Sequence, residues 1–321
     1  MQISKNKDNP AFPKLYLKRL SILLLIGLCH TLIWSGDILM LYALMGMVLL
    51  ALRNIPVSKA LFVGLSFYFF PILLDIIYMY TLVPDLKELA KTALKVYPDL
   101  SPEHIVTAFQ SEKLSMVFKI NLHNVVWRWY DFIPSGRPFK VLGLFFLGYF
   151  LYSREFFTVH AKKWKYIILF LSIGLVFTGL AMILQGSVAS FSKTWMDLFD
   201  KLIHEIGQLA LSLSYVCILS RLVDTFPKFF AFSRLKNYGR MSLTSYIGHT
   251  ILGILAFYPI IAWGYFGLLT LEQVYYLALA ILSIQLIFSN VWFVSFSFGP
   301  IEWLWRCATF GKWFPIRKKK D

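Results

Sequence analysis

Charge is scarce in this chain, and negative charge scarcer still. Only 15% of the 321 residues are charged, 17 acidic against 32 basic, where a soluble domain carries about 25%. With 58% of residues hydrophobic, there is too little polar surface to cover a water-soluble globule. Cysteine is nearly missing: Cys29, Cys217 and Cys307 stand far apart with no C-x-x-C spacing. That excludes a disulfide framework and a cysteine zinc site, and leaves them as small apolar packing residues. No G-x-S-x-G elbow, P-loop or G-x-G-x-x-G occurs, so hydrolase, ATPase and dinucleotide-dependent classes have no motif support. The pair His204-Glu205 lacks the second histidine of H-E-x-x-H, so no zinc-hydrolase reading follows. No metal site and no resident cofactor is indicated. Repeats and low-complexity linkers are absent too, and 1–321 reads as one integral membrane domain.

What the chain has instead is long apolar runs. Runs of the length that spans a bilayer, about 17–25 residues, fall near 17–35, 38–52, 60–80, 138–152, 166–184, 203–221, 241–262 and 272–291, the second and fourth being short. The fold class is therefore an all-α, polytopic transmembrane bundle of about eight spans. With both termini cytoplasmic, roughly two thirds of the 32 lysines and arginines fall on the cytoplasmic side, including Arg221 to Arg240 and the basic tail of about 306–321, as the positive-inside rule requires. The net charge of +15 comes with no nucleic-acid-binding signature, so the expected partner of these basic loops is anionic lipid, not nucleic acid. The N-terminal basic and apolar stretch lacks a small-x-small cleavage site near Trp34-Ser35-Gly36, which predicts an uncleaved first span. The oligomeric state leaves no signal.

The long polar interval, about 84–137, belongs outside the membrane. Leu86, Leu89, Ala90, Ala93 and Leu94 recur at helical spacing opposite Lys87, Lys91 and Lys95, predicting an interfacial amphipathic helix. Ser101-Pro102-Glu103-His104 has the form of a cap and first turn. The cluster Trp127, Trp129, Tyr130 and Phe132 has the character of an interfacial belt.

Chemistry must come from the few polar residues within or beside the spans. In the run from Gly27 to Ala43, two apolar helices meet at Ser35-Gly36, and Asp37 opens the second. Asp37 has the position of an N-cap. His30 lies one to two turns below the tip, within reach of Asp37. A carboxylate that orients an imidazole is the minimal unit for taking a proton from a hydroxyl or amine; a simple cap and a backbone-bonded histidine account for the same spacing. Asp75, flanked by Pro71, is a lone acid in the third span, either a functional carboxylate or one exposed at the interface. Arg137 is positioned to pair with Asp75, to attract an anionic substrate, or to anchor its helix at the interface. His249 lies deep in the seventh span beside Thr244, Ser245 and Tyr246, as a satisfied buried histidine or a substrate contact. His30 and Asp37 are thus the candidate catalytic pair, in a pocket expected to include Trp34 and Asp75; Arg137, Ser245 and His249 are further candidate substrate contacts.

Four runs carry a family resemblance: Lys18-Arg19-Leu20; the H-x-x-x-W-x-G-D-I-L run from His30; Tyr238-Gly239-Arg240-Met241-Ser242-Leu243-Thr244-Ser245-Tyr246; and Phe298-Gly299-Pro300-Ile301-Glu302-Trp303-Leu304-Trp305-Arg306. Together they resemble the bacterial membrane family known as domain of unknown function 418, that of the YeiB-like proteins, over nearly the whole chain. The resemblance implies a role in transport. It also implies a distant similarity to transmembrane acyltransferases, which use a cytoplasmic acyl-thioester donor and an acceptor on the far side. On that analogy His30 is the base, Asp37 its orienter and Arg240 a contact to the donor phosphate, and the substrate is a small or lipid-linked molecule. The chain departs from the family pattern in two places. The spans that usually precede Arg19-Leu20 are not in this sequence, and Ser245 and His249 stand where a T-N-Y-x-x-Q pattern has Asn and Gln. Acyl transfer, solute transport, and a non-catalytic partner or remnant are the three readings these residues admit.

Overall fold

A computed structural model of the protein, which describes residues 9–81, 102–111, 113–132, 135–184, 194–259 and 261–318, is built of helices. In chain order they are α1 (Phe12–Ile33), α2 (Leu39–Ala51), α3 (Val57–Tyr80), α4 (Pro102–Phe109), α5 (Leu114–Phe132), α6 (Arg137–Ser153), α7 (Trp164–Leu184), α8 (Trp195–Thr225), α9 (Phe230–Arg240), α10 (Ser242–Phe257), α11 (Leu271–Ser295) and α12 (Pro300–Phe310). A short π-helical turn, Phe156–His160, follows α6. Among the described residues, strand pairing is confined to one isolated bridge between Phe296 and Arg317. Each expected apolar run falls on a helix. Of these α1, α3, α7, α8 and α11 are long and apolar enough to cross a bilayer, while α2 and α10 are shorter apolar helices and α6 covers the run at 138–152. The amphipathic helix expected at Leu86 to Leu94 lies outside the described residues, as do Ser101, Lys319 and Lys320, and the side chains of Pro102, Glu103, His104 and Tyr130.

Burial is inverted relative to a soluble protein. Phe62 and Ile183 are 76% and 77% exposed, whereas Asp75 is fully buried. Large apolar side chains turned outward over long helices, with polar groups kept inside, suit a hydrocarbon surrounding.

The chain forms two compact units. The described residues within 1–13, 44–91 and 129–227 make up one, and those within 14–43, 92–128 and 228–321 the other. In the first, α3 lies along α6 and α7 along α8. Small residues permit these close approaches, as in membrane helix pairs generally: a Cβ on Gly143 of α6 would come within 2.6 Å of the Tyr68 backbone nitrogen on α3, and one on Gly174 of α7 within 2.7 Å of the Leu211 side chain on α8. Ala60, Leu142, Phe146 and Tyr149 form the core between α3 and α6. α8 begins with a capping box, in which Thr194 Oγ1 accepts from the Asp197 amide and an Asp197 carboxylate oxygen from the Thr194 amide.

The second unit is positioned more by side chains that bond backbone. Glu302 of α12 accepts from the Leu243 and Thr244 amides at 2.7 and 3.0 Å and from Thr244 Oγ1 at 2.5 Å. A carboxylate thus sits on the positive end of α10, where anionic groups are favoured. Trp305 Nε1 donates to Arg19 O at 2.9 Å while the Arg19 guanidinium lies 4.1 Å over its ring. Ala108, Phe109, Val117, Ile120, Ile254 and Tyr258 form the apolar core of this unit.

Candidate functional site

The second unit holds the histidine pair. Trp34 N still bonds His30 O as the first helix ends, and the turn closes with Asp37 N donating to Trp34 O at 3.3 Å. Asn121 of α5 secures the helix end by donating to Ile33 O at 2.9 Å. Gly27 lets α1 touch the start of α2, since a Cβ there would lie 2.7 Å from the Met40 nitrogen and 3.2 Å from Asp37 Oδ2.

Asp37 performs both roles left open by its spacing, one with each oxygen. Oδ2 accepts from the Met40 amide at 2.9 Å, capping α2. Oδ1 meets His30 Nδ1 at 2.8 Å and, more distantly, accepts from the Tyr246 hydroxyl at 3.4 Å. The Tyr246 oxygen in turn accepts from the Ile38 amide at 3.1 Å. His30 and Asp37 are only 4% and 5% exposed, so these bonds are shielded from water.

The other ring nitrogen of His30 makes the contact that decides the chemistry. Nε2 lies 2.9 Å from Thr250 Oγ1 on α10. A carboxylate only accepts, so Nδ1 carries a hydrogen toward Asp37; in the form of the ring that can act as a base, Nε2 is a lone pair and the Thr250 hydroxyl is the donor to it. A hydroxyl on a helix ordinarily donates to the carbonyl four residues back, as Ser21, Ser212, Ser220, Ser283 and Thr309 do in this protein. Thr250 is turned from that bond to His30.

Thr250 also lines a cavity of about 390 Å³ walled by Trp34, Tyr246, His249, Phe257 and Phe266. His30 and Asp37 stay behind this wall, so the imidazole reaches the cavity through the Thr250 hydroxyl. His249 Nδ1 is 3.0 Å from Ser245 O, which also accepts from Gln285 Nε2 at 3.1 Å. Because a carbonyl only accepts, Nδ1 carries the hydrogen and Nε2 is left for the cavity side. Ser245 contributes its carbonyl, and its residue is buried.

Of the residues singled out in the sequence, His30, Asp37, Trp34, Ser245 and His249 are gathered in this unit. Asp75 is in the first unit. Its partner there is Lys201 of α8, with Nζ 2.6 Å from Oδ2, rather than Arg137, which is exposed with its guanidinium 5.6 Å over the Phe132 ring. Arg240 lies over Phe293 at 4.2 Å and donates to Ser297 O at 3.1 Å. Sequence reasoning did not single out Thr250. Its one signal was position, a hydroxyl directly after His249 in an apolar helix.

A bundle of apolar helices enclosing a carboxylate, an imidazole and a hydroxyl in one line defines a helical membrane protein with a polar site in its interior. Within that class the chain belongs to the family described as protein of unknown function DUF418, whose profile matches residues 151–312. It is 30% identical to the uncharacterized protein YxaH of Bacillus subtilis (strain 168), over 99% of this chain and 77% of that one. It is also 30% identical to an uncharacterized 39.9 kDa protein in the amylase 3' region of Bacillus acidopullulyticus, over 96% and 74%. With the uncharacterized protein YeiB of Escherichia coli (strain K12) it shares 24% identity over 91% and 74%. No solved structure matches it.

Proposed function

We propose that the protein is a multi-pass enzyme of the bacterial cytoplasmic membrane that transfers an acyl group from a thioester donor to an extracytoplasmic or lipid-linked acceptor. The line from Asp37 through His30 to Thr250, ending at an apolar cavity, is the observation that carries this reading. An imidazole backed by a carboxylate takes a proton from a hydroxyl and holds the resulting positive charge beside Asp37. Ile254, Phe257 and Phe266 offer the apolar surface that a hydrocarbon chain needs, while Trp34 and His249 border the reacting end and Ser245 holds His249 through its carbonyl. Exposed Arg234, Lys236 and Arg240 supply positive charge to the donor phosphates from the cytoplasmic side, with both termini on that side. Asp75 and Arg137 have no part in the transfer. The test is product formation from radiolabelled acyl-coenzyme A by the purified full chain in liposomes of its host lipids, wild type against His30→Gln. Transfer that His30→Gln leaves unchanged overturns this reading.

A second reading, solute transport, is favoured by a different observation. Buried charges within membrane helices mark ion and proton pathways, and the first unit holds Asp75 with Lys201 and Glu205 with Lys140. If the liposomes transfer no acyl group but dissipate an imposed pH gradient in a manner that Lys201→Met abolishes, transport replaces acyl transfer.

A further inference from the structure

Resting on the acyl-transfer reading, we propose that Thr250 is the nucleophile and carries the acyl group as an ester between two half-reactions. The argument is geometric. His30 Nε2 has one lone pair, and Thr250 Oγ1 occupies it at 2.9 Å. The imidazole is 4% exposed and does not line the cavity, whereas Thr250 does. An acceptor hydroxyl entering the cavity therefore meets Thr250 Oγ1 before it meets the base. Direct activation of the acceptor by His30 would require displacing a hydroxyl that α10 holds in place. Activation of Thr250 requires no movement: Oγ1 already lies 2.9 Å from Nε2, and it does not make the bond to the carbonyl four residues back that other helix hydroxyls of the protein keep. Hydroxyl, imidazole and carboxylate in this order are the arrangement that activates a weak nucleophile. Tyr246 and the Met40 amide hold the carboxylate from its remaining directions.

The two steps balance. In the first, Thr250 Oγ attacks the carbonyl carbon of the thioester; the C–O bond forms and the C–S bond breaks. The hydroxyl proton passes to His30 Nε2 and from there to the departing thiolate, which leaves as a thiol. In the second, with Oγ acylated and no longer donating to Nε2, an acceptor hydroxyl gives its proton to that freed lone pair and attacks the ester carbon. The new ester forms, the bond to Thr250 breaks, and the proton returns to Thr250 Oγ. No oxidant, reductant or metal enters. The cavity need hold only one substrate at a time, in keeping with its volume of about 390 Å³.

The experiment incubates the full chain in nanodiscs, without acceptor, with carbonyl-labelled acetyl- or palmitoyl-coenzyme A and, separately, with p-nitrophenyl butyrate, and maps acyl adducts by peptide mass spectrometry. The expected result is an adduct on Thr250 that resists neutral hydroxylamine and yields to alkali. Thr250→Val, which keeps the shape and removes the hydroxyl, should lose it. Thr250→Cys should convert it to a thioester cleaved by neutral hydroxylamine, a change that misfolding cannot imitate. Transfer to acceptor in the wild type with no adduct on Thr250 overturns this proposal and leaves the acyl-transfer reading standing. An adduct from p-nitrophenyl butyrate on Thr250, with no transfer from any coenzyme A thioester, supports the nucleophile and overturns the thioester donor. Absence of both adduct and transfer overturns both.

Discussion

The two units of this protein bury polar groups in opposite ways. In the first, the buried groups are charges closed on each other: Asp75 with Lys201 at 2.6 Å, and Glu205 with Lys140. In the second, an acid and a histidine lead to a neutral hydroxyl that ends at a cavity. An ion pair holds its two charges against each other. The open line leaves a reactive atom at the wall. On the acyl-transfer reading proposed above, the difference sets Asp75 apart as structural and Asp37 as the acid that serves the chemistry, although sequence composition makes the two look alike, each a lone acid beside an apolar run.

The largest expected effect separates the two directly. Replacing His30 by Gln should lower acyl transfer by about 10²–10⁴-fold, the range of general-base catalysis, while the thermal midpoint of the purified protein moves little, because Gln also fills the space with a polar group. Asp75→Asn should do the reverse. Leaving Lys201 buried without its counter-charge costs roughly 3–5 kcal/mol, seen as a lower midpoint or membrane yield, and the molecules that fold should keep their transfer rate. The double variant Asp75→Leu with Lys201→Met should recover most of that stability. If Asp75→Asn silences activity at unchanged stability, the comparison inverts and the first unit is the functional one.

Legibility in the sequence followed the range of each interaction. Apolar runs of bilayer length are local, so every expected run became a helix. His30 and Asp37 are seven residues apart across one turn, near enough for their encounter to be read from spacing. Thr250 is 220 positions from His30, and on its own helix it looks like any small hydroxyl that would bond back to its own turn. Lys201 is 126 positions from Asp75. Pairing with Asp75 was one of the roles open to Arg137 in the sequence, but Lys201 on α8 reaches the buried Asp75 of α3 instead. The dual role of Asp37 was legible only as a choice between two, because a sequence does not say how many donors converge on two oxygens.

The units also differ in what holds their helices together, and two glycines on α6 sharpen that contrast. Gly143→Ala places a Cβ 2.6 Å from the Tyr68 nitrogen and 2.7 Å from Gly64 O. Backbone cannot yield there as a side-chain tip does, so a loss of about 1–3 kcal/mol is expected. Gly148→Ala, with nothing within 4 Å, should be neutral or gain up to about 1 kcal/mol from helix propensity. Thermal midpoints in one detergent decide the matter, and equal effects at the two positions would remove close approach as the basis of the α3 and α6 pairing.

The smallest effect tests the site most finely. Asp37→Asn keeps an oxygen that accepts from the Met40 amide, so the cap on α2 should survive within about 1 kcal/mol. It removes the negative charge beside His30 and, with it, the means of stabilising a protonated ring when the Thr250 hydrogen is transferred. Transfer should therefore fall by at least about tenfold, equivalent to about 1.4 kcal/mol in the barrier, at nearly constant stability. Asp37→Ala removes both functions. It should lose a comparable share of the rate and, in addition, about 1 kcal/mol of stability as the Met40 amide and His30 Nδ1 lose their acceptor. The informative quantity is the difference between the variants. If rate and stability fall together in both, Asp37 acts only by shaping the turn. If Asn loses rate alone and Ala loses both, the two oxygens have separable tasks, as the 2.9 Å bond to Met40 and the 2.8 Å contact to His30 require.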